Sequence, residues 1–129
     1  MTSGGQPTAV VESPSVERGD TPNGPYVKLD FMILEHALLP VKAGQAAAFE
    51  NAFEKAKHII AESKGFRRLT LSRCHERPCD YLLLVEWDSL EDHTQGFRRS
   101  DAYDSWKALL HHFYEPFPAV DHFAVVAEI

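Results

Sequence analysis

A chain of 129 residues has room for one domain and a single core, and its 44% hydrophobic and 25% charged residues are ordinary for a globular protein. The balance is acidic, 19 Asp and Glu against 13 Lys and Arg, so most of the surface would repel a phosphate backbone and no nucleic-acid partner is expected. No apolar run approaches the roughly 20 residues that span a bilayer, and the N-terminus lacks the basic and apolar regions of a secretory signal, so a cytoplasmic protein without a membrane partner is expected.

Residues 1–26 are rich in Gly, Pro, Ser and Thr, with Pro7, Pro14, Pro22 and Pro25 spread through them. Such a stretch buries too little surface to offset its ordering entropy and reads as a flexible N-terminal tail. Residues 27–129 then form the folded domain. FMILEHALL (31–39) is nearly continuous in apolar residues, the pattern of a central strand, and Pro40 stops it. After Gly44 and Gln45, residues Phe49, Ala52, Phe53, Ala56, Ile59 and Ile60 recur at helical spacing. Gly65 is expected to end that helix.

FRRLTLSRC (66–74) alternates, with Leu69 and Leu71 on one face and Arg68, Thr70 and Ser72 on the other, as an edge strand does. Cys74 and Cys79 flank HERP, a hairpin connection, and thiols in the cytoplasm stay reduced. DYLLLVEW (80–87) reads as a second central strand. Ser89 and Asp92 fit a capping box that opens a helix, Gly96 loosens it, and Ser100 recaps a further segment. In that segment Trp106, Leu109, Leu110 and Phe113 form the buried stripe, and Pro116 and Pro118 close it. HFAVVAEI (122–129) is the last strand.

The order βαββαβ predicts an α+β ferredoxin-like fold: a four-stranded antiparallel sheet with two helices on one face. Tyr81, Leu83, Val85 and Trp87 alternate with Leu82, Leu84 and Glu86, so both faces of the sheet carry large apolar side chains. A second copy of the chain is the simplest cover for the face without helices, and a homodimer is expected.

His93 is the leading candidate for chemistry, since on a helix Leu90, His93 and Phe97 share the face turned to the sheet. Trp87 closes the strand just before it, and His36 sits on the same side as Leu34, so two imidazoles and an indole are expected to converge on one cavity. An imidazole that titrates near neutral pH suits a general base; the bland alternative is a buried histidine bonded to backbone, Glu35 or Glu86. His122 opens the last strand beside the first, yet no HxH or HxxxH spacing supports a metal, and none is expected. His111 and His112 flank the apolar stripe as rim positions, and His58 and His75 read as solvated. Phe97, Tyr103 and Trp87 suit a flat apolar ligand, and Arg98 can reach a pocket mouth to hold a phenolic oxygen.

The βαββαβ order, the double-faced central strands and the run EWDSLEDHTQGFRRSDAYDSW resemble the antibiotic biosynthesis monooxygenase family of dimeric α/β barrels. The resemblance covers about residues 31–127 and rests on the pattern W-[DE]-S-x-E-x-H-x4–6-S-x-x-[YF], which marks the fold more than the reaction. It implies a cavity between sheet and helices and a cofactor-independent monooxygenase acting on a small aromatic or polyketide-like substrate. His93 or His36 would be the base, with Trp87, Phe97, Arg98, Tyr103 and His122 around the substrate. The same family implies two alternatives, a non-catalytic small-molecule-binding or stress-related barrel and a haem-degrading enzyme. For haem, Trp87 matches a family tryptophan, His36 stands in the place of an asparagine, and the ligand position falls near Trp106 or Lys107, with His111 one turn further on.

Overall fold

The computed structural model describes residues 32–129, so the tail expected over 1–26 lies outside the described residues. Four strands and two α-helices follow the expected order: β1 (Ile33–Pro40), α1 (Ala46–Ile60), β2 (Phe66–Arg73), β3 (Asp80–Trp87), α2 (Asp101–Leu110) and β4 (Val120–Ala124). The strands form one antiparallel sheet in the order β2-β3-β1-β4, which makes β1 and β3 central and β2 an edge, as their hydrophobic patterns require. The fold is α+β ferredoxin-like, with both helices on one face.

The core lies between helices and sheet. From α1 come Phe49, Phe53, Ala56 and Ile60; from α2 and its continuation come Trp106, Leu110 and Phe113. They meet Ala37 and Leu39 of β1 and Tyr81, Leu83, Val85 and Trp87 of β3. Val85 and Trp87 are wholly buried, while their neighbours Leu82, Leu84 and Glu86 stay half-buried on the opposite face. Period-two alternation thus divides the sheet into a helix-covered face and a helix-free one.

Three boundary expectations change. Helix α1 ends at Ile60, five residues before Gly65, so Gly65 is not its cap. Gly65 has φ +83°, and a Cβ there would run into the Asp92 side chain. Its role is to let the residues after β3 close down on the turn after α1. Strand β4 spans Val120–Ala124 rather than 122–129, because Ala124 pairs with Ile33, the first residue of β1, and no strand continues beyond it. Leu90 does not face the sheet; it is 38% exposed. The segment that carries it closes as one π-helical turn (Asp92–Gly96) followed by a 3-10 turn (Phe97–Arg99), which widens the spacing and leaves only His93 and Phe97 inside.

The serine caps and the free cysteines are as expected. The Asp92 amide donates to Ser89 Oγ at 3.2 Å, and the Tyr103 amide to Ser100 Oγ at 3.3 Å, so each serine caps its segment. Cys74 and Cys79 are free thiols. No helix among the described residues is long and apolar enough to cross a membrane.

Candidate functional site

Strand β1 contributes one acid to the helix-covered face. In ILEHALLP, Glu35 has the same parity as Ala37 and Leu39 and is 5% exposed. Its Oε1 accepts a hydrogen bond from Trp87 Nε1 at 2.9 Å and lies 3.4 Å from His93 Nε2. Oε2 has no hydrogen-bond partner among the described residues. Burial raises the Glu35 pKa, while the Trp87 bond and the charge of Arg98 oppose that rise.

His93 is 2% exposed and stacks on Trp87, with ring centroids 5.3 Å apart and planes 20° from parallel. Its Nδ1 shares a 2.8 Å hydrogen bond with Nε2 of His122, which β4 places opposite Glu35 in register. Burial lowers the His93 pKa to about 3, helped by His122 and Arg98, so its imidazole is neutral at ordinary pH. His122 is lowered too, by burial and then Arg98, against a raising contribution from Asp121. Trp87, Glu35, His93 and His122 therefore form one continuous polar chain inside an apolar core.

A cavity of about 170 Å³ opens in front of Glu35 and His93. Ala37, Leu39, Leu83, Phe97 and Trp106 form its apolar wall, and Arg98, Tyr103, His111, Tyr114 and Phe117 its outer part. Arg98 makes no ion pair among the described residues and stands over the Tyr103 ring at 5.6 Å. Burial raises the Tyr114 pKa, which keeps its phenol a neutral donor, and lowers that of His111. A wider groove of about 940 Å³ lies on the outer side of the 91–105 segment, lined by His58, Lys64, Asp92 and Ser105 among others. It is open to solvent and touches none of the buried acid–imidazole chain, so the smaller cavity is the better candidate site.

The sequence-predicted residues divide accordingly. His93, Phe97, Arg98 and Tyr103 line the cavity. Trp87 and His122 do not; they stand behind the cavity wall and hold Glu35 and His93. His36 is not brought into the site. It pairs with Leu84 and Asp121, residues of the opposite parity, and packs on Phe123 at 5.3 Å on the helix-free face. Strand pleating separates it from Glu35, so the expected meeting of His36, His93 and Trp87 does not occur, and a cluster of His36, His93 and His122 is equally ruled out. Nor does the triple Glu35, His93 and His122 converge on one point, since the two His93 nitrogens face opposite partners; among the described residues no group of three or more His, Cys, Asp or Glu is placed to hold a metal ion.

Sequence reasoning named Glu35 only as a partner for a buried His93, the place it takes at 3.4 Å, and not as a cavity residue; it missed Tyr114 and the inward position of His111. For Glu35 a signal existed: a lone acid inside a doubly apolar central strand is costly to bury unless it is used or paired.

The family model for antibiotic biosynthesis monooxygenase matches residues 32–109, most of the described domain. The chain belongs to the antibiotic biosynthesis monooxygenase family. A relative from Bacillus subtilis (strain 168), the uncharacterized protein YczJ, is 54% identical over 92 residues, 71% of this chain and 97% of that protein. Among solved structures, a candidate antibiotic biosynthesis monooxygenase from Bordetella bronchiseptica superposes with a TM-score of 0.72 at 30% identity, covering 75% of this chain and 99% of that one. SnoaB from Streptomyces nogalater, a cofactor-independent oxygenase, shares the fold with a TM-score of 0.59 at 18% identity, over 77% of this chain and 95% of SnoaB.

Proposed function

We propose that the protein is a cofactor-independent monooxygenase of small phenols, and that Glu35 rather than His93 is its base. One observation carries this reading: a buried carboxyl, held at one oxygen by Trp87 and with no partner at the other among the described residues, lines a cavity beside Arg98, which makes no ion pair among them. A raised carboxyl pKa brings the base toward neutral pH, where general-base catalysis is most effective. Arg98 supports the phenolate as it forms, and Tyr114 is available as a neutral donor.

Cavity size narrows the substrate. An enclosed space of about 150 Å³ suits a benzene ring, so 170 Å³ with an open mouth accommodates one or two fused rings.

The chemistry balances with 1-naphthol as probe. Glu35 takes the phenolic proton, the naphtholate passes an electron to dioxygen, and the radical pair joins at C4 as a peroxide. Glu35 returns the proton to the peroxide. Loss of the C4 proton with cleavage of the O–O bond then yields 1,4-naphthoquinone and water, so one naphthol and one dioxygen give one quinone and one water.

Incubation in ¹⁸O₂ should place one labelled atom in the quinone, and Glu35→Gln should slow its formation by about 10²–10⁴-fold. If one- and two-ring phenols raise the melting temperature but give no quinone, the protein is a binding barrel and not an enzyme.

The working unit of this reading is a homodimer. The helix-free face exposes Leu38 (57%) and Phe123 (49%) beside half-buried Leu34, Leu82 and Leu84, and a second copy would cover this patch with the same patch.

A further inference from the structure

We propose that His93 and His122 form a proton path linking the buried carboxyl of Glu35 to solvent through the back of the site. The path rests on the reading of Glu35 as base for its use in turnover, but its existence is a separate property of the molecule.

The geometry is that of a relay. His93 bridges two partners from opposite ring nitrogens, Nε2 at 3.4 Å from Glu35 Oε1 and Nδ1 at 2.8 Å from His122 Nε2. Imidazole can accept a proton on one nitrogen and release another from the opposite nitrogen without moving. At 2.8 Å one proton lies between the two rings, because facing lone pairs repel and two facing N–H groups collide.

Two arrangements satisfy this. In the first, Glu35 is a neutral acid, and His93 and His122 each carry their proton on Nδ1. In the second, Glu35 is a carboxylate, and both rings carry their proton on Nε2. Conversion is a concerted shift. The Glu35 proton goes to His93 Nε2, the His93 Nδ1 proton goes to His122 Nε2, and the now cationic His122 releases its Nδ1 proton to water. One proton leaves, Glu35 gains one negative charge, and the reverse sequence reloads it.

The surroundings suit a path more than a packing contact. His122 lies on β4, an edge strand, and is only half-buried, so the chain reaches the surface there. Asp121 beside it favours the transient imidazolium, and Arg98 discourages a standing charge on either ring. Neither His122 nor Trp87 lines the cavity, so the exit stays open when a ligand occupies the front.

The test uses the full chain without ligand and follows the Glu35 carboxyl stretch by infrared spectroscopy after a pH jump, the band being identified as the one that Glu35→Gln removes. His122→Gln keeps a polar group in place, but a primary amide does not relay protons as imidazole does, so gain and loss of the Glu35 proton should slow by about tenfold or more. His122→Asn serves as a second variant if the first perturbs the sheet. A wild-type rate in a folded His122 variant overturns the path, because the Glu35 proton then leaves through the cavity. Absence of naphthol oxidation would remove the catalytic role of Glu35 and leave this result untouched.

Discussion

The two faces of the sheet are made from alternate residues of the same strands, yet they have opposite characters. On the helix-covered face, Glu35, Ala37 and Leu39 of β1 meet Leu83, Val85 and Trp87 of β3, all buried, with one polar chain threaded through them. On the other, Leu34, His36 and Leu38 lie beside Leu82 and Leu84 with no helix over them. A strand thus carries a chemical group and an association surface one residue apart, and each face can be altered with little effect on the other.

The largest effect that would sharpen this contrast is on the covered face. Trp87→Ala should cost about 3–5 kcal/mol in urea unfolding, since it removes a fully buried indole. It also strips Glu35 of a donor. Trp87→Phe keeps most of the volume and should cost about 1–3 kcal/mol for the lost hydrogen bond, while Glu35 titrates higher still. Equal stability of the Phe variant and wild type would mean that the indole N–H contributes nothing.

On the helix-free face, Leu84→Arg should convert a dimer into a folded monomer by light scattering, with unchanged circular dichroism. A wild-type mass already that of one chain would break the comparison, because the second face would then be ordinary surface.

Stability against pH tests the buried chain more finely. His93 has a folded pKa of about 3 against an unfolded 6.5, so the folded state binds fewer protons in that window. Its contribution is present above pH 6.5 and is lost as pH falls toward 3. Glu35 acts in the other direction: its folded pKa is raised from 4.5, so its contribution is present below 4.5 and lost as pH rises through the folded value. The two oppose each other just above 4.5, and His93 alone remains below it. Between pH 3 and 4.5, His93→Gln should therefore show a flatter decline in unfolding free energy than wild type; identical slopes would mean that His93 is not held neutral.

The smallest effect is expected from His36→Ala. Because His36 sits on Phe123 across the sheet from the cavity, quinone formation should stay at the wild-type level. A loss comparable to that of Glu35→Gln would place the reacting group on the wrong face.

Much of this was legible in the residues. The near-continuous apolar runs of β1 and β3, against the alternation of β2, identified central and edge strands, and the 3.6-residue stripes located both helices. Ser89 and Ser100 marked the breaks around the cavity-lining segment. His93 was legible as an inward residue, but its π-helical turn was not, because the 3.6-residue spacing used to place it assumes a regular α-helix. The limit of β4 depended on where its neighbour begins.

By itself, then, the sequence determined the order of elements, the family, and which side chains share a parity within each strand, since local periodicity encodes all three. Tertiary structure alone decided that the odd-numbered face of β1 is the one the helices cover. It also decided that Glu35 and His122 meet His93 while His36 does not. Parity says which residues travel together, but only the register of β1 against β3 and β4, and the helices above them, says what they face.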